Sequence, residues 1–205
     1  MRGRRRSSWP ACATAVAAAC AVESRQAVAQ CLMAKEGDPS GAVVPYYGFK
    51  VALDGNHALV SLSQNGVYFY KRSGANWLAG EPLPASGSRP AIDRDTALLG
   101  AYNYGGQIGF GIVTVLDYDG AKWIPVATLE PLDKYDGNWF GWSVALSGSV
   151  AVVGAVRYDT GKAYVFERDQ TGVWKQTAKL SPDMPGTSEH FGWVVATDSE
   201  TVVVG

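Results

Sequence analysis

Two stretches of this chain carry nearly the same text. Phe140 to Ala155 reads FGWSVALSGSVAVVGA, and Phe191 onward reads FGWVVATDSETVVVG, with 51 residues between the two phenylalanines. Leu129-Glu130-Pro131 and Leu180-Ser181-Pro182 recur at the same interval. A lone tryptophan after a Gly/Asn turn stands at Trp77, Trp123 and Trp174, spaced 46 and 51 residues. Three markers near one period define a structural repeat. A repeat of about 45–50 residues holding four strands predicts a propeller blade.

The local pattern within one repeat agrees with that reading. Trp142, Val144 and Leu146 alternate with Ser143, Ala145 and Ser147, which is the period of a strand. Ser147-Gly148-Ser149 supplies a tight turn into Val150–Ala155. That second strand is apolar on both faces, so both faces should be covered by other sheets.

Phe140-Gly141 and Val153-Gly154-Ala155 resemble the two halves of the FG-GAP repeat. The longer text FGxSVAxSGxxAVVGA…GxAYVFxR…GxWxQxAKLSP is similar to secreted bacterial repeat proteins related to the integrin α-chain propeller. The resemblance runs from about Tyr47 to Gly205 and is closest in the third repeat. Tyr47-Gly48-Phe49 replaces FG in the first repeat, Ser88-Arg89-Pro90 stands where the second should be, and Val156 replaces the usual proline. The resemblance implies an all-β fold, a β-propeller of four-stranded antiparallel blades. It implies no single activity, because unrelated functions share such folds.

On this reading residues 1–29 are a signal peptide, 30–45 a leader, and 46–205 the repeats, divided at 46–87, 88–132, 133–182 and 183–205. The last repeat stops inside its second strand, so about three and a half blades are expected, as in a fragment or a truncated gene product. Open blade edges in such an arc would favour self-association. The expected hairpin turns are Asp54-Gly55-Asn56, Asp93-Arg94-Asp95 and Asp198-Ser199-Glu200. Outer strands are expected at Gly66–Arg72 and around Trp77, at Gly109–Asp117 and Lys122–Leu129, and at Lys162–Arg168 and Val173–Leu180. In the last of these Trp174 and Leu180 should face in, and Lys175 and Lys179 out, guarding the edge.

The N-terminus carries the marks of export. Arg2, Arg4, Arg5 and Arg6 precede an apolar segment, Ala11 to Val22, that is too short to span a bilayer. Ala27-Val28-Ala29 fits a cleavage site before Gln30, with cleavage after Ala19 or Ala21 as rivals. The flanks of Arg5-Arg6 fit twin-arginine export poorly, and neither Cys20 nor Cys31 follows a leucine-led lipobox. The 205-residue chain has 18 basic and 19 acidic side chains, and removal of 1–29 leaves 13 and 18, a net charge near −5. No transmembrane segment is read, and nothing here has the basic surface that nucleic acid requires. Disulfides cannot staple the mature chain, since two of its three cysteines leave with residues 1–29.

Catalytic and metal motifs are sparse. The integrin relatives bind calcium in loops between the first two strands of a blade. Here those connections are tight turns with at most two carboxylates, too few for a hard cation, so no cofactor is expected. Asp117-Tyr118-Asp119-Gly120 and Asp133 to Gly137 fall in other connections. His57 and His190 are the only histidines, no serine lies in a nucleophile elbow, and no glycine-rich loop leads a strand into a helix.

The aromatics carry more information. In an up-and-down blade the second-to-third loop and the entry to the first strand share one face. These segments hold Tyr102, Asn103 and Tyr104; Arg157 and Tyr158; Tyr46 and Tyr47; Tyr135 and Trp139; and His190. This set reads either as a recognition face for an extracellular protein or glycan, or as caps on the blade cores. The expected function is a secreted or cell-surface binding or structural module without catalysis. The alternative is a propeller hydrolase, or the accessory propeller of a secreted enzyme whose catalytic part lies elsewhere.

Overall fold

The computed structural model describes residues 17–21, 30–34, 47–62, 66–78, 80–104, 110–133, 139–156, 160–183 and 190–205. Two short strands, β1 (Ala17–Ala21) and β2 (Gln30–Ala34), pair antiparallel with Cys20 opposite Cys31. After them the described strands form antiparallel blades, with one isolated parallel bridge between Gly161 and Phe191, and no helix occurs among the described residues. In particular, none there is long and apolar enough to cross a membrane.

The first blade holds β3 (Val51–Asp54), β4 (His57–Ser61), β5 (Val67–Ser73), β6 (Asn76–Trp77) and β7 (Glu81–Pro82). The second holds β8 (Arg89–Asp93), β9 (Thr96–Ala101), β10 (Ile112–Tyr118) and β11 (Trp123–Leu129). The third holds β12 (Phe140–Ser147), β13 (Val150–Ala155), β14 (Lys162–Arg168) and β15 (Trp174–Leu180). The fourth contributes β16 (Val195–Thr197) and β17 (Val202–Val204). Each complete sheet pairs its strands in chain order, which is the up-and-down blade expected from the period. In the first blade the fourth strand is split: β6 pairs with the end of β5 and β7 with its start.

Three apolar layers seal the blades against one another. Leu59, Val67 and Phe69 of the first meet Ala97, Leu99, Leu116 and Trp123 of the second. Leu98, Val113 and Val115 on the other face of the second meet Phe140, Ala151, Val153 and Tyr164 of the third. Val152 and Ala163, with Leu180 beside them, meet Val195 of the fourth. Alternate residues of β13 therefore belong to different seams, as its unbroken apolar run required.

The fourth strands depart from simple alternation. In β15, Val165 pairs with Ala178 but Phe166 pairs with Gln176, so Thr177 is an extra residue in the strand. The bulge flips the face. Trp174 packs into the seam with the second blade and Leu180 into the seam with the fourth, so they do not face the same way as expected. The second blade repeats the device at Val126, between Pro125 and Ala127, with Trp123 and Leu129 on opposite seams.

A further difference lies at the start of the second blade. Arg89 pairs with Gly100 just as Ser143 pairs with Gly154. The residue in register with Gly141 is therefore Gly87, not one of Ser88-Arg89-Pro90. This registration places Arg89 level with Ser143, and with Lys50 and Val194 of the first and fourth repeats.

The turn aspartates link neighbouring blades. The Asp54 carboxylate accepts the Arg94 backbone N–H at 2.5 Å, and the Asp93 carboxylate accepts that of Gly148. On the outer strands, Arg168 grips Asp117 through two bonds of 3.1 and 2.6 Å, and Thr96 Oγ1 donates to the same carboxylate at 2.9 Å. These bonds cross a seam or, for Thr96 and Asp117, tie neighbouring strands of one blade, a structural use for residues that otherwise suggest cation ligands.

Candidate functional site

The four innermost strands lie side by side and begin at the same end of the arc. There the β12 strand has an irregular start. Phe140 pairs with Ala155 and Ser143 with Gly154, which leaves Gly141 and Trp142 as extra residues. Phe140 stays in the core, while Trp142 swings out of the row of Val144 and Leu146 that simple alternation assigned to it. The entry to β16 follows the same course. Trp139 and His190 both take a left-handed backbone, with φ of 54° and 53°, and the N–H of the residue three later closes on each carbonyl at 3.1 and 3.0 Å. This conformation is rare for bulky residues and is held here at two equivalent sites 51 residues apart.

These turns project an aromatic ladder. Trp139 stacks on Trp142 at 5.3 Å with 13° between planes. Tyr102 meets Trp142 edge-on at 5.0 Å, and Trp142 meets Trp193 at 4.7 Å. His190 closes the row against Trp193 at 5.5 Å. Beneath the ladder lies an open cavity of about 440 Å³ whose walls include Phe49, Lys50, Arg89, Trp142 and Trp193. The Arg89 guanidinium sits 4.5 Å from the Trp142 ring centre, 4.7 Å from Phe49 and 5.3 Å from Tyr102. Trp193 stays 47% exposed at its rim.

Of the residues expected on this face, Tyr102, Trp139 and His190 come together in the ladder. Tyr47 packs away from it, near Tyr68 and against the hydroxyl of Tyr70. Tyr104 is 53% exposed and makes no ring contact with the ladder. Tyr46, Tyr135, Arg157 and Tyr158 lie outside the described residues. The sequence reading did not include Trp142, Trp193, Phe49 or Arg89. The signal for the first three was present, since each directly follows the glycine that opens its repeat. Arg89 entered the sequence reading only within Ser88-Arg89-Pro90, where the opening FG of the second repeat was expected.

His57 is half-buried among rings, 5.2 Å from both Phe69 and Tyr118, with Nδ1 3.4 Å from the Arg94 carbonyl. Among the described residues no three His, Cys, Asp or Glu side chains gather as a metal-binding group. Asp119, Asp169 and Asp198 each bond to backbone N–H groups of their own turns.

The FG-GAP repeat family model matches residues 123–166 and 174–205, the stretch from β11 through the last strand. No curated protein matches the chain.

Proposed function

From the premise that this chain is an FG-GAP repeat protein, built of propeller blades, we propose that it is an exported, non-catalytic recognition module. It binds an extracellular protein or glycan through the aromatic end of its inner strands. The observation that carries the reading is Trp193. A large indole left half-exposed beside a cavity, stacked on Trp142, adds little to the core but gives a rigid contact surface of low entropic cost. The aromatic walls and few polar groups of the cavity suit ligand capture. Export is supported by the basic start, the short apolar segment and the Ala27-Val28-Ala29 site.

The test is an array of immobilised extracellular glycans and matrix proteins probed with the purified full chain. Saturable binding to at least one class, without chemical change in the bound ligand, is expected. Absence of any binding, or turnover of a ligand that copurifies with this chain, contradicts the proposal.

A further inference from the structure

Arg89 carries a charge that the packing leaves unanswered. Its side chain is 7% exposed, its Nε has no hydrogen-bond partner, and no carboxylate pairs with it among the described residues. Burial draws its pKa below that of a free arginine, with Tyr102 pulling the other way. The three rings around it stabilise the cation by about 2 kcal/mol at most when desolvated. They accept none of its directional N–H bonds, and a buried donor without a partner costs about 1–3 kcal/mol. A guanidinium is a planar fork matched to the two oxygens of a carboxylate. Lys50, at the equivalent position of the first repeat, puts a second cation on the same cavity wall.

We infer that this furrow binds an acidic sugar, a hexuronate unit of a polysaccharide, with its carboxylate on Arg89 and Lys50 and its ring against Trp193. The C–H face of a pyranose carries small positive charges that fit the negative face of an indole. An acidic peptide offers the same carboxylate but not the C–H-lined ring face that the exposed Trp193 indole fits. The rest of the wall is mostly rings and aliphatic groups. The inference rests on the recognition reading above and narrows its ligand class.

Calorimetric titration of the full chain with trigalacturonate, maltotriose and hexaglutamate tests it. Trigalacturonate is expected to bind at least ~10-fold more tightly than maltotriose, the factor that about 1.4 kcal/mol of charge-assisted bonding supplies. Lys50→Gln and Arg89→Gln should each weaken it by about the same factor, and Trp193→Ala by at least ~30-fold, the equivalent of about 2 kcal/mol. Lys50 is exposed, so its variant carries the charge test even where Arg89→Gln disturbs the rings. Equal affinity for the two sugars, or no effect of either cation variant, overturns the acidic-sugar assignment and leaves recognition standing. Preference for hexaglutamate overturns it in favour of peptide. If no probe binds to a chain that does bind elsewhere on the array, this inference alone fails; if the array is also silent, both fail.

Discussion

Gly154 and Gly192 meet backbone to backbone across the seam between the third and fourth blades. A Cβ on Gly154 would stand 2.0 Å from the Gly192 carbonyl oxygen, and Gly192 itself holds a φ of +89°. Gly100 and Gly141 repeat the contact one blade earlier, at 2.3 Å. The two glycine halves of the repeat motif are thus one contact shared by successive blades. That explains why they recur together: each allows the next blade to close on its predecessor.

Substitution of Gly154 or Gly100 by alanine is expected to destabilise the chain by about 1–3 kcal/mol, the cost of forcing a methyl into packed backbone. Gly120, with φ of +96° and open space around it, should lose only about 1–2 kcal/mol as alanine, from its backbone alone. Urea unfolding measures the difference. A loss below about 0.5 kcal/mol at both Gly154 and Gly100 would contradict the seam contact.

The Asp117–Arg168 pair bridges the second and third blades with both side chains about 30% exposed. A double-mutant cycle with Asp117→Asn and Arg168→Met should give a coupling of about 0.5–1 kcal/mol, smaller at high salt. A coupling of zero would mark the pair as ornamental to stability.

Acid should loosen the blade contacts. Burial alone would raise the Asp93 carboxyl, but the Gly148 N–H and Arg94 outweigh it and hold it below the ordinary range. For Asp133, burial is likewise outweighed by Lys179 and Tyr164. A carboxyl lowered in the folded state contributes stability that is complete above its unfolded value, about 3.9, and is lost as pH falls through the folded value. Stability attributable to these two groups should therefore hold from neutral pH to about 5 and decline below about 4. Denaturant midpoints across that range check the sign, and Asp93→Asn should flatten the decline. A decline as steep in the variant as in the parent would contradict the role of Asp93.

The aromatics divide into two classes that mutation separates. Phe140 is fully buried, and its change to alanine should cost about 3–5 kcal/mol. Tyr104 is exposed, and its change should stay within about 0.5 kcal/mol of the parent. A large loss at Tyr104 would assign it to the core.

The period made the blades legible, because each strand alternates and each hairpin carries its own turn residues. The seams were legible in β13, whose two apolar faces demand two neighbours. The bulges were not. Thr177 and Val126 have no special composition, yet each sends the end of its strand to the other seam. The candidate site was half legible for the same reason. Tyr102, Trp139 and His190 sit in loops, where aromatic residues stand out. Trp142 sits in a strand, and only the irregular pairing of Phe140 and Ser143 shows that it leaves the core row. Arg89 was hidden because its significance depends on three rings brought from three other segments of the chain.

The recognition claim rests most heavily on Trp193, so Trp193→Ala is its most direct test. Unfolding free energy and affinity for the strongest array ligand are measured on the same preparation. The account predicts stability within about 1 kcal/mol of the parent, as for a partly exposed side chain, and a loss of about 2 kcal/mol or more in binding. A variant that binds as the parent does but unfolds several kcal/mol more easily would make the aromatic end a cap on the core and contradict the account.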